Sequence, residues 1–267
     1  MKSKNYNIDK GNYIIANSEK LLNKRKKKKK VRNLMLLVII MVSTLVTLCL
    51  KLPYFNITNV EIVGNVNVSN AKINELVSAH LNNNIFYASF VDSKKQIIKN
   101  PYILDVKIKK KLPNKILIEV EERVAVFYGK VKDTYYIIDN EGILLEKKSN
   151  IKDMNIVHLV GINLEKCKVG DVILIENRKI EAANDIANII NEYRKTKDNI
   201  IISSVDISDV LDVKAFSGKM CIKFGTTEDL DNKFNKAINI ISQPKYKATT
   251  GYVDVSFNAN PVVFIEE

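Results

Sequence analysis

Residues 33–50 read NLMLLVIIMVSTLVTLCL, eighteen consecutive positions without a charge, in which only Asn33, Ser43, Thr44 and Thr47 are polar. As a helix rising 1.5 Å per residue, this stretch is about 27 Å long, close to the roughly 30 Å hydrocarbon thickness of a bilayer. Arg32 and Lys51 bound it. A core helix of that length keeps one polar face, and this one has none. The stretch therefore predicts a membrane-spanning helix over residues 33–51. Every other element must fold on one side of it or the other.

The flanks orient the span. Residues 1–32 carry 12 Lys and Arg against Asp9 and Glu19, net +10 of the chain's +12, which leaves +2 for residues 33–267. Positive charge beside a span is retained in the cytoplasm, so the N-terminus is expected inside and the 217 residues after Leu50 outside. A cleaved secretory signal needs a short basic start, an apolar run of about 7–15 residues and a small-x-small site. Thr47 to Lys51 offers no such site, and Leu48 before Cys49 does not suit a lipoprotein. An uncleaved anchor is the expectation.

The leader holds seven consecutive basic residues, Lys24 to Lys30. Charge that dense repels itself, which predicts a cytoplasmic basic tail without stable structure. No aromatic residues interleave the run to read bases, so nucleic acid is not the expected partner. Beside a span, Lys24 to Arg32 suit anionic lipid headgroups.

Outside the span, a first module is expected over residues 55–125. Ile57 to Val63 reads as a strand stopped by Gly64-Asn65. Ser69 can cap a helix with Ile73, Leu76, Val77 and Leu81 at helical spacing, and a second short helix runs from about Asp92 to Lys99 before Asn100-Pro101. A hairpin follows. Leu104, Val106 and Ile108 alternate with Asp105, Lys107 and Lys109, and beyond Leu112-Pro113-Asn114 the residues Ile116, Ile118 and Val120 alternate with Glu119 and Glu121. With lysines across the ladder, Glu119, Glu121 and Glu122 read as a solvated sheet face rather than as catalytic carboxylates.

Strand, helix, helix, strand, strand in about seventy residues beyond a membrane span resembles a POTRA domain. Read in order, Val60-x-Ile62-x-Gly64-Asn65, Asn100-Pro101-Tyr102-Ile103, Val106-x-Ile108-x-Lys110, Leu112-Pro113-Asn114 and Ile116-x-Ile118-x-Val120-x-Glu122-Arg123 resemble the POTRA domain of the FtsQ/DivIB family of bacterial cell-division proteins. Ala125 departs from the family pattern, which commonly places a proline after the Glu-Arg.

A second module is expected over residues 126–267. Tyr135 to Leu145 reads as strand, turn, strand, with the reversal at Asn140 to Gly142, and resembles the opening of the family's β domain. Ile156 to Val160 is a further strand, and Val172 to Ile175 an apolar run. Ile180 to Tyr193 carries a helical stripe with Arg194, Lys195 and Lys197 at its end. Strands are expected at Ile200–Ile207, Val210–Phe216 and Lys219–Phe224. Thr226 and Asp229 suggest a capping box for a helix bearing Leu230, Phe234, Ala237, Ile238 and Ile241, stopped at Gln243-Pro244. Tyr252 to Phe257 and Pro261 to Ile265 close the chain, again as the family does. The fold class is α+β: a single-pass anchor, a POTRA domain, and a mixed β-sheet domain with two flanking helices.

No catalytic or cofactor pattern emerges. Only His80 and His158 exist, the first on a helical stripe and the second within a strand, both reading as structural. Serine-hydrolase, zincin, Walker and dinucleotide-binding motifs are missing from the sequence, and Cys49, Cys167 and Cys221 lack metal-type spacing. A Cys167–Cys221 bridge and two separate thiols both stay open.

The reading is therefore of a binding protein, with no catalytic, cofactor or metal residues. The family resemblance implies a single-pass plasma-membrane scaffold at the division septum. Its implied partners are DivIC/FtsB-like and FtsL-like proteins and the septal peptidoglycan synthase, and its implied role is to help control septal peptidoglycan synthesis. Strand addition at an open terminal edge would be the physical means, with Tyr252, Val255, Phe257, Val263 and Phe264 as candidate partner-binding residues. Inward packing of these residues as ordinary core remains the alternative. A membrane-tethered cell-wall enzyme is the competing function, and would require a clustered His, Cys or carboxylate constellation in a cleft.

Overall fold

The computed structural model describes residues 3–195, 202–246 and 249–266. Helix α1 runs Ser3–Lys51. Its segment Leu22–Lys51 is long and apolar enough to cross a membrane, and none of its most apolar window is buried against protein. The leader expected to lack structure is instead the first part of this helix. Like-charged neighbours one turn apart cost only about 0.2–0.5 kcal/mol per pair. Lys and Arg are good helix formers, and a helix already nucleated by the span extends without a new nucleation cost.

Contact density divides the chain into two units. One holds the residues up to Glu61 with Val77–Ser89 and Lys109–Leu117; the other holds Ile62–Leu76, Phe90–Ile108 and the chain from Ile118 onward. A three-stranded sheet is formed by β1 (Asn59–Val63), β2 (Ile103–Lys111) and β3 (Lys115–Glu122), in the order β1-β3-β2. Between β1 and β2 lie α2 (Asn70–Val77) and α3 (Val91–Ile98). Element types and order match the POTRA reading, with two local differences. Ile57 is buried but outside β1, because its N–H donates to Asn83 O at 2.9 Å and its carbonyl accepts from Asn82 N. Ile103 is buried where Leu104 was expected to be, and Leu104 faces solvent.

In the second unit, Gly64 has φ +87°, and a Cβ there would lie 2.1 Å from Val120 O. The turn after β1 therefore requires glycine. Glu122, read from sequence as part of a solvated face, instead holds this turn. Its carboxylate accepts the N–H groups of Val66, Asn67 and Val68 at 3.0, 2.8 and 2.9 Å. Partial burial pushes the Glu122 carboxyl up, but these bonds outweigh it and hold it below its ordinary value.

A nine-stranded mixed sheet follows, in the order β12-β11-β10-β9-β8-β7-β4-β5-β6. Its strands are β4 (Ala125–Val131), β5 (Thr134–Asp139), β6 (Leu144–Lys148), β7 (Val157–Val160), β8 (Ser204–Asp206), β9 (Val213–Ser217), β10 (Met220–Gly225), β11 (Gly251–Asp254) and β12 (Val262–Ile265). Helices α4 (Asn177–Lys195) and α5 (Leu230–Ile241) bury their stripes in one core with the sheet: Ala183, Ile186, Ile190, Phe234, Ala237 and Ile238 pack with Phe127, Val205, Ile222 and Phe224.

Several expectations are corrected. The capping box at α5 does not form: Asp229 is the N-cap in a left-handed conformation without a side-chain cap, and Lys233 Nζ donates to Thr226 O at 2.9 Å. The apolar run Val172 to Ile175 packs without forming a strand: Val172 makes one isolated bridge to Ile143, while Ile173 and Leu174 are buried. The strand expected at Ile200–Ile207 is observed as Ser204–Asp206, and its first residues lie outside those described, as does Lys197. Cys49, Cys167 and Cys221 are free thiols.

Candidate partner-binding edge

The final two strands owe their pairing to simple alternation. Val253 and Val263 face each other across β11 and β12 on the core side, while Tyr252 and Phe264 form the neighbouring pair on the outer side. Their rings stack with centroids 5.3 Å apart at 23°, and Lys223 Nζ from β10 sits 3.7 Å above the Tyr252 ring. A cation over a stacked aromatic pair gives this corner of the sheet a firm outer surface.

β12 is the last strand of the sheet, so one of its sides has no strand partner among the described residues. Which backbone groups face that side follows from one bond. Glu266 N donates to Thr250 O at 2.9 Å. In an antiparallel ladder, inward and outward groups alternate by residue. Phe264 and Val262 therefore bond toward β11, and the N–H and C=O of Val263 and Ile265 point to the open side. The other end of the sheet is closed at its start: Leu144 N donates to Asp171 O at 2.9 Å, and Gly170 N to Leu144 O at 2.8 Å.

Three of the five candidate residues thus lie on β11 and β12: Tyr252 and Phe264 together on the outer face, Val263 on the core side. Phe264 is 48 % exposed. Val255, at 3 % exposure, belongs to the core, and Phe257 is exposed in the segment between the two strands. Lys223, Val262 and Ile265 also line this edge and were not singled out from sequence. The period-two pattern of residues 262–265 could have found the last two; Lys223 becomes visible only once β10 is known to pair in parallel with β11.

Elsewhere on the surface, the described residues form no reactive constellation. No group of three or more His, Cys, Asp or Glu able to hold a metal occurs among the described residues. A cleft of about 670 Å³ is lined by Asp185, Glu192, Asp229 and Asp231 with Asn188 and Thr227, without a histidine or cysteine. His158 stacks on Tyr128 at 5.1 Å, and burial pushes its imidazole down, which favours the neutral form. The Cys221 thiol is pushed up, chiefly by burial, away from the reactive thiolate.

An apolar helix fit to anchor in a membrane, a strand-helix-helix-strand-strand module and a sheet ending in an unpaired strand define a POTRA protein of the membrane-anchored kind. A family profile described as "POTRA domain, FtsQ-type" matches residues 55–123. The chain is 41% identical over 229 residues to cell division protein DivIB of Clostridium botulinum (strain Loch Maree / Type A3), covering 85% of this chain and 88% of that one. It is 42% identical over 227 residues to DivIB of Clostridium acetobutylicum, covering 85% and 89%. Against DivIB of Bacillus subtilis the identity is 27% over 126 residues, covering 47% and 48%. The chain belongs to the FtsQ/DivIB family of bacterial cell-division proteins, and its role is in the divisome.

Proposed function

We propose that this protein is a bitopic divisome scaffold that captures a β-strand from a small membrane partner along β12. Residues 1–32 form its cytoplasmic tail, 33–51 the span, 55–125 the POTRA domain and 126–267 the β domain. The body lies outside the cell at the septum and works by binding rather than by catalysis. DivIC/FtsB-like and FtsL-like proteins are the partners, and through them the scaffold helps control the septal peptidoglycan synthase. Lys24 to Arg32 hold anionic lipid on the cytoplasmic side.

The observation that carries the edge is the outward-facing backbone of Val263 and Ile265 beside the Tyr252–Phe264 stack. Main-chain groups there supply affinity, and the ring pair supplies a wall for alternate partner side chains. The test is Val263→Pro in the full chain, with binding to the external segment of a DivIC-like partner measured beside thermal unfolding. Proline removes the outward N–H without touching the β11–β12 bonds, so binding should weaken by about tenfold or more while the unfolding curve moves little. Parallel loss of folding and binding would refute strand addition at this edge.

A further inference from the structure

A second surface, at the exit of α1, is used by none of the foregoing. Leu52, Tyr54, Phe86 and Tyr87 are all exposed there, Tyr54 at 64 % and Tyr87 at 67 %. They are held together rather than scattered. The Tyr54 ring meets Phe55 edge-on at 5.3 Å, and Phe55 meets Phe86 at 5.4 Å. Ile85 N donates to Phe55 O at 2.9 Å.

Asn84 ties this group to the helix end. Its Nδ2 donates to Cys49 O at 2.9 Å and Leu50 O at 3.2 Å, while its Oδ1 accepts from Phe86 N at 3.0 Å. The last carbonyls of a helix have no partner within it, so one side chain both closes α1 and starts the 84–87 turn. Basic groups frame the surface: Lys51 in the last turn of α1, and Lys110, whose Nζ donates to Phe86 O at 3.4 Å. Lys111 is engaged by Glu61 at 3.7 Å. All of these residues fall in the same compact unit as α1.

We infer that Leu52, Tyr54, Phe86 and Tyr87, flanked by Lys51 and Lys110, form a collar seated in the lipid headgroup layer where the span leaves the bilayer. This rests on α1 being a membrane span. A span puts Lys51 at the lipid–water boundary, and the Asn84 bonds keep Phe86 and Tyr87 at that level. Tyrosine and lysine suit this depth: the apolar body meets the acyl boundary, and the hydroxyl or ammonium meets the headgroups. The basic rim matches anionic lipid. The occupant is the bilayer rather than a protein because the collar continues directly from the segment that lipid surrounds.

The chain contains no tryptophan, so an introduced indole is a sole reporter of depth. The full chain is placed in nanodiscs of phosphatidylcholine and phosphatidylglycerol as three variants: Leu45→Trp in the span, Tyr87→Trp in the collar, and Leu211→Trp on a segment between β8 and β9 where Leu211 is 63 % exposed. Each is quenched by a headgroup nitroxide lipid, a deep acyl-chain nitroxide lipid and aqueous iodide. The collar predicts that Tyr87→Trp is quenched several-fold more by the headgroup nitroxide, and several-fold less by iodide, than Leu211→Trp. Tyr54→Trp gives an independent reading should Tyr87→Trp disturb the fold.

Iodide access at Tyr87→Trp equal to that at Leu211→Trp, with Leu45→Trp still quenched by the deep nitroxide, overturns the collar and leaves the span standing. Protection from both iodide and headgroup nitroxide overturns it in favour of a covering protein. Absence of deep quenching at Leu45→Trp removes the span, and the collar with it.

Discussion

Replacing Arg123 with alanine isolates a buried charge whose cost can be worked out from its neighbours. Arg123 Nη1 donates to Asp139 Oδ2 at 2.8 Å and to Glu141 Oε2 at 2.6 Å; the Asp139 side chain is 0 % exposed and that of Arg123 16 %. Asp139 Oδ1 also accepts from Glu141 N at 3.0 Å and Ile143 N at 2.7 Å. Removing one partner of a buried pair costs about 3–5 kcal/mol; because two backbone donors remain on Asp139, the low end, about 3 kcal/mol, is expected. Burial pushes the Asp139 carboxyl above its ordinary value, against the Ile143 bond and the pull of Arg123. A carboxyl raised on folding contributes stability that is full below its unfolded pKa and lost as pH rises through its folded pKa. Without the guanidinium the folded value rises further, so the deficit of Arg123→Ala is largest near neutrality and shrinks as the solution is acidified. Urea unfolding of the full chain in micelles, between about pH 5 and 8, measures this for Arg123→Ala, Asp139→Asn and the double variant. Their costs should be strongly non-additive. A deficit under about 1 kcal/mol, as for an exposed pair, or additive costs at every pH, would refute the reasoning.

Gly64→Ala combines a left-handed backbone with a Cβ 2.1 Å from Val120 O, and should cost about 2–4 kcal/mol; thermal melting checks it, and an unchanged midpoint counts against the turn geometry. Glu122→Gln weakens three charge-assisted bonds to the Val66–Val68 turn, about 1.5–3 kcal/mol in total, and hydrogen exchange at those three amides should speed up. Because the Glu122 carboxyl is held low, its contribution is present above the unfolded pKa and lost as pH falls through the folded one. The glutamine variant should accordingly lose less stability on acidification than the parent. Phe264→Ala removes a stack worth about 0.5–1.5 kcal/mol; it should weaken partner binding and leave the β11–β12 amides protected.

Elements with an uninterrupted period were legible in the sequence, and those with a broken one were not. The span, the α4 and α5 stripes and the Ile116-Ile118-Val120 face all follow from spacing alone. β4 went unassigned although it lies between β7 and β5 in the sheet. Its register against β5 shifts between Ala125 and Phe127, so Val126 and Phe127 are buried consecutively and the alternation that marks a strand disappears. The apolar run Val172 to Ile175 shows the converse. Apolar residues can fill a core from a loop, and Ile173 and Leu174 do so without a ladder. At the candidate edge, the Tyr252–Phe264 pairing was within reach of a period-two reading. So was the burial of Val255, which lies two positions beyond Val253 and therefore on the same core-facing side, although β11 itself ends at Asp254.

The shape of the edge itself limits what a partner can gain from it. An open strand is a hazard that proteins blunt by shortening it, charging it or interrupting it with proline. β12 is four residues long, Pro261 precedes it, and only Val263 and Ile265 turn their backbone groups outward. Proline has no N–H, so a ladder cannot continue past it in that direction. Backbone bonds contribute about 0.5–1.5 kcal/mol each net, and the few available here fall far short of the roughly 8 kcal/mol of a micromolar complex. A partner held at β12 must therefore draw most of its affinity from side chains against Tyr252, Phe264 and Lys223, or from a second contact elsewhere. On the first alternative Phe264→Ala costs more binding than the roughly tenfold of Val263→Pro; on the second it costs less, and the two effects add.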